Sequence, residues 1–170
     1  MATSTEHKVS IGDHYKERIG VMYFFFKNIG YPSGEFATTI REYGNALLNT
    51  KGGFLVFGVQ ENGRINGLNI SRQNEDLYRL SLDRELRNFT PAVSPNLYRL
   101  SVIKVGYMSN IMEVRISAGP IGEMYQNQFE QVYIVKNRKL VGPLWPQELK
   151  ALIIQKYKEE LQATKGILSP

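Results

Sequence analysis

Residues 49–68 read Asn-Thr-Lys-Gly-Gly, then Phe-Leu-Val-Phe-Gly-Val, then Gln-Glu-Asn-Gly-Arg-Ile-Asn-Gly-Leu, and few folds accept that order. The pair Gly52-Gly53 suits a sharp turn out of a helix, because glycine tolerates the left-handed backbone found there. Residues 54–59 are apolar without alternation, as expected of a strand covered on both faces. Asn62-Gly63 is a favoured pair for a two-residue hairpin turn in which both positions take positive φ. Upstream, Phe36, Ala37, Ile40, Gly44, Leu47 and Leu48 recur at helical spacing and define one apolar face. Ser33 is placed to cap that helix, and Glu35 puts a negative charge in its first turn. Helix, glycine pair, strand and hairpin therefore form one unit.

The remaining segments extend that unit. Val21 to Phe26 is a continuous apolar and aromatic run that suits a strand covered on both faces. Leu77, Leu80, Leu86 and Phe89 predict a second helix, closed by Thr90-Pro91. Tyr98, Leu100 and Val102 alternate with polar residues, as do Met112, Val114 and Ile116, which predicts two antiparallel half-buried strands joined through 106–110. Residues 132–135 form a further strand, followed by a basic turn. Pro146 opens a last helix with Leu149, Leu152, Ile153, Tyr157 and Leu161 as its stripe. Hairpins mixed with helices favour an α+β fold: a mixed, largely antiparallel sheet with helices packed on it. The expected division is a polar mobile arm at 1–18, one domain at 19–160 and a tail at 161–170.

Composition sets outer bounds. A chain of 170 residues, 42% hydrophobic, fills one core and is short for two. Its formal charge is +5, a mild excess compatible with nucleic acid or an acidic protein as partner and equally with an ordinary soluble surface. The absence of cysteine excludes disulfides, thiolate chemistry and cysteine-held zinc. No apolar run approaches the roughly 20 residues that cross a bilayer, and the polar start does not resemble a secretory signal. The expectation is a soluble, cytoplasmic protein without direct membrane contact.

Motifs for chemistry are sparse. A phosphate-cradling loop needs glycines running into Lys-Ser/Thr at a helix start, whereas Lys51 precedes Gly52-Gly53 and a strand follows. His7 and His14 lack ligand spacing, no nucleophile signature occurs, and Glu159-Glu160 reads as a solvated pair. Basic residues are more suggestive. Lys136, Arg138 and Lys139 share one turn flanked by Tyr133 and Trp145. With Lys51 and Arg64 they form a candidate RNA-phosphate contact set, with a plain solvated hairpin tip as the equal alternative. Phe24, Phe25 and Phe26, with Trp145, read either as core or as a partner interface.

The block at 44–68, followed by the strand 132–135, the basic turn, and the Pro143 to Leu149 helix start, resembles the Alba-like domain of the Schlafen family. The resemblance covers roughly residues 20–155. Endonuclease members use an acidic cluster to hold Mg²⁺ or Mn²⁺. Two of its acids lie before the first helix and one just after the signature strand. Laid onto this sequence, those positions fall on Phe25, near Gly20, and on Asn62. Glu61 beside Asn62 is the one weak catalytic candidate, with Asp13 or Glu17 as distant substitutes. The resemblance therefore implies no catalytic cluster, no metal site and no cofactor in this chain. In the family, two related lobes form a basic RNA-holding groove, so a single lobe implies a second copy or a related partner.

Within the family the chain is similar to the small, acid-poor component of the nematode complex that trims the 5′ ends of piRNA precursors. That implies a non-catalytic, RNA-positioning and structural subunit of a heteromeric Schlafen-type endoribonuclease. Its partners would be related Schlafen-domain subunits and RNA, with Mg²⁺ or Mn²⁺ in the catalytic partner. The alternatives are an autonomous metal-dependent endoribonuclease acting on structured RNA through Glu61, and a stand-alone nucleic-acid-binding module.

Overall fold

The computed structural model describes residues 8–168 and has an α+β architecture built on one four-stranded mixed sheet. Strand β1 (Tyr23–Phe26) pairs in parallel with β2 (Gly53–Phe57). Between them, the chain crosses over through helix α1 (Glu35–Thr39), a π-helical turn (Ile40–Gly44) and helix α2 (Asn45–Leu48). Helix α3 (Arg72–Arg87) then leads to the long hairpin of β3 (Tyr98–Gly106) and β4 (Ser109–Ile116). The sheet order is β1-β2-β4-β3. A short hairpin of β5 (Ile134–Lys136) and β6 (Lys139–Val141) and a terminal helix α4 (Pro146–Leu168) complete the fold.

Strand alternation divides the apolar residues between two faces. Leu55, Phe57, Leu100, Met112, Val114 and Ile116 point toward the helices, where they meet Phe36, Ile40, Leu47, Leu48, Leu82 and Leu86 in the main core. The helical face expected from spacing at 36–48 is buried throughout. Tyr23, Val56 and Ile111 point the other way, with Phe25, Phe54 and Ile103 partly buried beside them.

That second face is covered by the N-terminal segment. Ile11 N donates to the Val105 carbonyl (3.1 Å), Gly12 N to Ile65 (2.8 Å) and Tyr15 N to Gly63 (2.8 Å). Val9 and Tyr15 pack on the sheet, and the Tyr15 hydroxyl donates to Glu113 at 2.5 Å. The free arm expected from polarity is thus, over 9–15, a strap held by long-range hydrogen bonds; residues 1–7, His7 included, lie outside the described part. The strap exists because the sheet's second face is apolar and must be covered.

Three further expectations change. In α3 the buried stripe is Tyr78, Leu82 and Leu86 with Ser81 and Glu85, while Leu77 and Leu80 are exposed. Leucine at helical spacing marked the helix but not its inner face, which Ser81 joins by donating to the Pro32 carbonyl (2.6 Å). The hairpin after β2 has a three-residue loop, 61–63, closed by Gly63 N to Gln60 O and Gln60 N to Arg64 O, both 2.8 Å. Only Gly63 there takes positive φ, the signature of a type I turn followed by a glycine bulge. Helix α4 runs through the expected tail, and Ile153, Tyr157 and Leu161, assigned to its buried stripe, are exposed. Among the described residues, no helix is long and apolar enough to cross a membrane.

Candidate nucleic-acid interface

The α2–β2 turn is built by two close backbone approaches. Gly52 sits at φ +71°, and a Cβ there would lie 2.7 Å from both Ala118 N and Ile116 O. A Cβ on Gly53 would collide with the Met22 carbonyl just before β1. Both positions therefore demand glycine, and the turn presents Lys51 outward, exposed.

Asn49, just before that turn, is a buried clamp. Its amide donates to the Tyr125 carbonyl (3.0 Å), the Tyr133 carbonyl (3.2 Å) and Asn45 Oδ1 (3.2 Å), while its own Oδ1 accepts from Tyr125 N (2.8 Å). Asn45 adds bonds to Tyr125 O (2.8 Å) and from Tyr133 N (2.6 Å). Buried amides satisfied this fully fix geometry. Here they tie α2 to the segment leading into β5, so the β5–β6 hairpin stands beside the glycine turn.

The result is an open groove of about 1290 Å³ among the start of β1, the glycine turn, the end of β4, the β5–β6 hairpin and the first half of α4. Lys51, Arg115, Lys136, Arg138 and Lys156 line it, against Glu148 and Glu159. Burial pushes the Lys156 ammonium below its usual range, partly opposed by Glu159 and Glu123. Arg138 reaches Glu17 at 3.8 Å, both well exposed, a contact of little energetic weight. Glu148 also accepts from the Trp145 backbone N–H (3.1 Å) at the start of α4, half of a capping box.

Of the basic residues predicted from sequence, Lys51, Lys136 and Arg138 come together in this groove. Lys139 lies on β6 opposite Lys136, exposed and outside the lining. Arg64 is at the far end of β2, where it bridges to His14. Arg115 and Lys156 were missed. Arg115 follows the strand alternation already visible in sequence, whereas Lys156 depends on where α4 docks and carried no signal.

The aromatic run has divided loyalties. Phe24 and Phe26 pack edge-on against Tyr43 (4.8 and 5.1 Å) on the helix side, and Phe25 meets Tyr15 (5.4 Å) on the strap side. Trp145 is 75% exposed.

At the positions where the resemblance places acids, Phe25 offers a phenyl ring. Asn62 spends its Oδ1 on the Arg64 backbone N–H (3.0 Å). Asp13 accepts from Ser10 N (3.0 Å), Glu17 faces Arg138, and Glu61 is exposed in the hairpin loop. Among the described residues, no three His, Cys, Asp or Glu side chains gather to hold a metal. One ring, one engaged amide and one solvated carboxylate do not fit a divalent cation.

Taken together, fold and site define a single α+β domain with a basic groove at one end of a mixed sheet. The chain belongs to the Schlafen AlbA_2 family, whose profile matches residues 3–142. The match takes in the strap and ends at the β5–β6 hairpin, so α4 lies beyond it. Membership suggests a function related to nucleic acid. Among solved structures, the DIP2311 protein of Corynebacterium diphtheriae is similar in fold, with a TM-score of 0.55 at 16% identity over 79% of this chain. The similarity spans 24% of that protein's length.

Proposed function

We propose that this chain is a non-catalytic, RNA-positioning subunit of a heteromeric Schlafen-type endoribonuclease. The observation that carries the reading is the groove, where five cations face two carboxylates. A surface of that sign attracts phosphates, and counterion release makes such binding sequence-tolerant and salt-dependent. The second support is chemical. Phe25 and Asn62 replace carboxylates, so the acids and the Mg²⁺ or Mn²⁺ would belong to a related Schlafen-domain partner.

We propose piRNA precursors as the substrate of the assembly, acting in the cytoplasm, on the strength of the sequence resemblance to the small component of the nematode complex. Phe24, Phe25, Phe26 and Trp145 are the proposed partner-facing residues. Of these, Trp145 is the most open to solvent, as an interface anchor must be in the free subunit.

The test is incubation of the full chain with structured RNA and Mn²⁺, alone and with a catalytic Schlafen partner. Cleavage is expected only with the partner, and RNA binding by the chain alone should weaken with salt. Cleavage by the chain alone, abolished by Glu61→Ala, would establish the autonomous nuclease instead.

A further inference from the structure

Besides the groove, the sheet's strap-covered face carries a row of side chains that runs from a packed aromatic pair to two arginines that no internal contact explains. The strand registers place Tyr23 opposite Phe54, Phe54 opposite Arg115, and Arg115 opposite Arg99, so one line crosses all four strands. Alternation puts all four on this face, since their neighbours Leu55, Val114 and Leu100 are buried in the helix-side core. At the β1 end, Tyr23 is buried and its ring stacks on half-buried Phe54, centroids 5.2 Å apart and planes 11° apart. At the β3 end, both arginines are exposed.

Arg99 and Arg115 are the unusual part. Like charges directly opposite on adjacent strands repel, with Cβ atoms about 5 Å apart. Glu113, the carboxylate of this face, accepts from Tyr15, and the ring–guanidinium contact seen among the described residues is Arg41 over Phe129. Among the described residues the guanidinium of neither Arg99 nor Arg115 has a hydrogen-bond, ion-pair or ring partner. A bound anion turns that repulsion into a clamp, because guanidinium forks match phosphate oxygens. Arg115 and Phe54 also line the groove, so the row continues the groove without a break. The strap closes the other part of the face, over Ile103 and Ile111. That leaves a track about 10 Å long, two strand spacings, from Phe54 to Arg99.

We infer that this row is a binding track for an unpaired RNA strand leaving the groove, with phosphate held between Arg99 and Arg115 and a base against Phe54. The inference rests on the RNA-positioning reading above and adds the class of RNA. A base can stack on an aromatic ring only if its face is free, as in a single strand and not in a duplex.

The experiment compares binding of a labelled oligouridine and a blunt RNA duplex of equal length to the full chain across a salt series. Arg99 lies outside the groove, so Arg99→Gln isolates the track. It should weaken oligouridine binding about three- to tenfold and reduce the slope of log K against log salt by about 0.7, one phosphate contact on a single strand. Duplex affinity should not change, and the melting temperature should hold or rise as the repulsion is relieved. Lys136→Glu with Arg138→Glu should weaken both ligands. A 4-thiouridine oligonucleotide should crosslink to the peptide bearing Phe54 or Arg115. If Arg99→Gln leaves oligouridine binding intact, or weakens duplex equally, the track is wrong while the groove reading stands. Crosslinks confined to α4 or the β5–β6 hairpin would also overturn the track. Failure of the unmodified chain to bind either RNA would remove both readings.

Discussion

The two faces of the central sheet are made from the same four strands and are put to different uses. On the helix side the central positions are apolar and dry, and Phe57, Met112, Val114 and Ile116 are 0–1% exposed. On the strap side, aromatics give way across the sheet to Glu113, Arg115 and Arg99, covered only in part by one extended segment. A sheet needs one well-filled face for stability. The second face is then free to carry charge, and here it does so next to the groove.

That contrast can be broken by mutation. The largest expected effect is on the helix side: Leu86→Ala, at a fully buried position, should cost about 3 kcal/mol through lost burial and a residual cavity. Phe54→Ala on the strap side should cost clearly less in a denaturant titration, and equal costs would mean that the second face is core after all. Next, Lys136→Glu with Arg138→Glu should lower RNA affinity at least about tenfold by removing two phosphate contacts, with no change in melting temperature. A fall in stability instead would make the basic hairpin structural.

Tyr15→Phe is smaller, expected to cost about 1 kcal/mol for the lost charge-assisted bond to Glu113, and it measures how firmly the strap is held. The smallest effect is in alkali. Burial first, then the Asp83 hydrogen bond, push the Tyr98 hydroxyl up to about 12. Burial and Glu113 likewise raise Tyr15 well above its ordinary value. A raised tyrosine holds its proton more tightly when folded. Its contribution is complete below the unfolded value of about 10 and fades as pH climbs toward 12. Tyr98→Phe should flatten the decline of stability between those pH values, as followed by circular dichroism.

Much of this was legible in the residues. Gly52-Gly53, the apolar strand after them and the alternation at 98–102 and 112–116 each have a local physical cause, and each falls where expected. The helix at 36–48 was equally plain, because its spacing and its buried face coincide. Long-range partners decided the rest. The inner face of α3 includes Ser81 and Glu85, polar residues whose burial depends on Pro32 and on Arg41 and Gln128. The strap was masked by its polarity, since backbone bonds and only Val9 and Tyr15 fix it. At the groove, Lys51, Lys136 and Arg138 were named from charge alone. Their meeting depends on Asn45 and Asn49, whose amides look in sequence like ordinary helix-end residues.

Those two asparagines also constrain how the molecule can be cut. Their partners lie 76 to 88 positions further along the chain, beyond the last strand of the sheet. A fragment stopped at the sheet's final residue would strand two amides in a dry interior with nothing to replace Tyr125 and Tyr133. The segment leading into the small outer hairpin is therefore a keystone for the helix beneath it, and shortening the protein to its apparent minimum would loosen the middle before the edge.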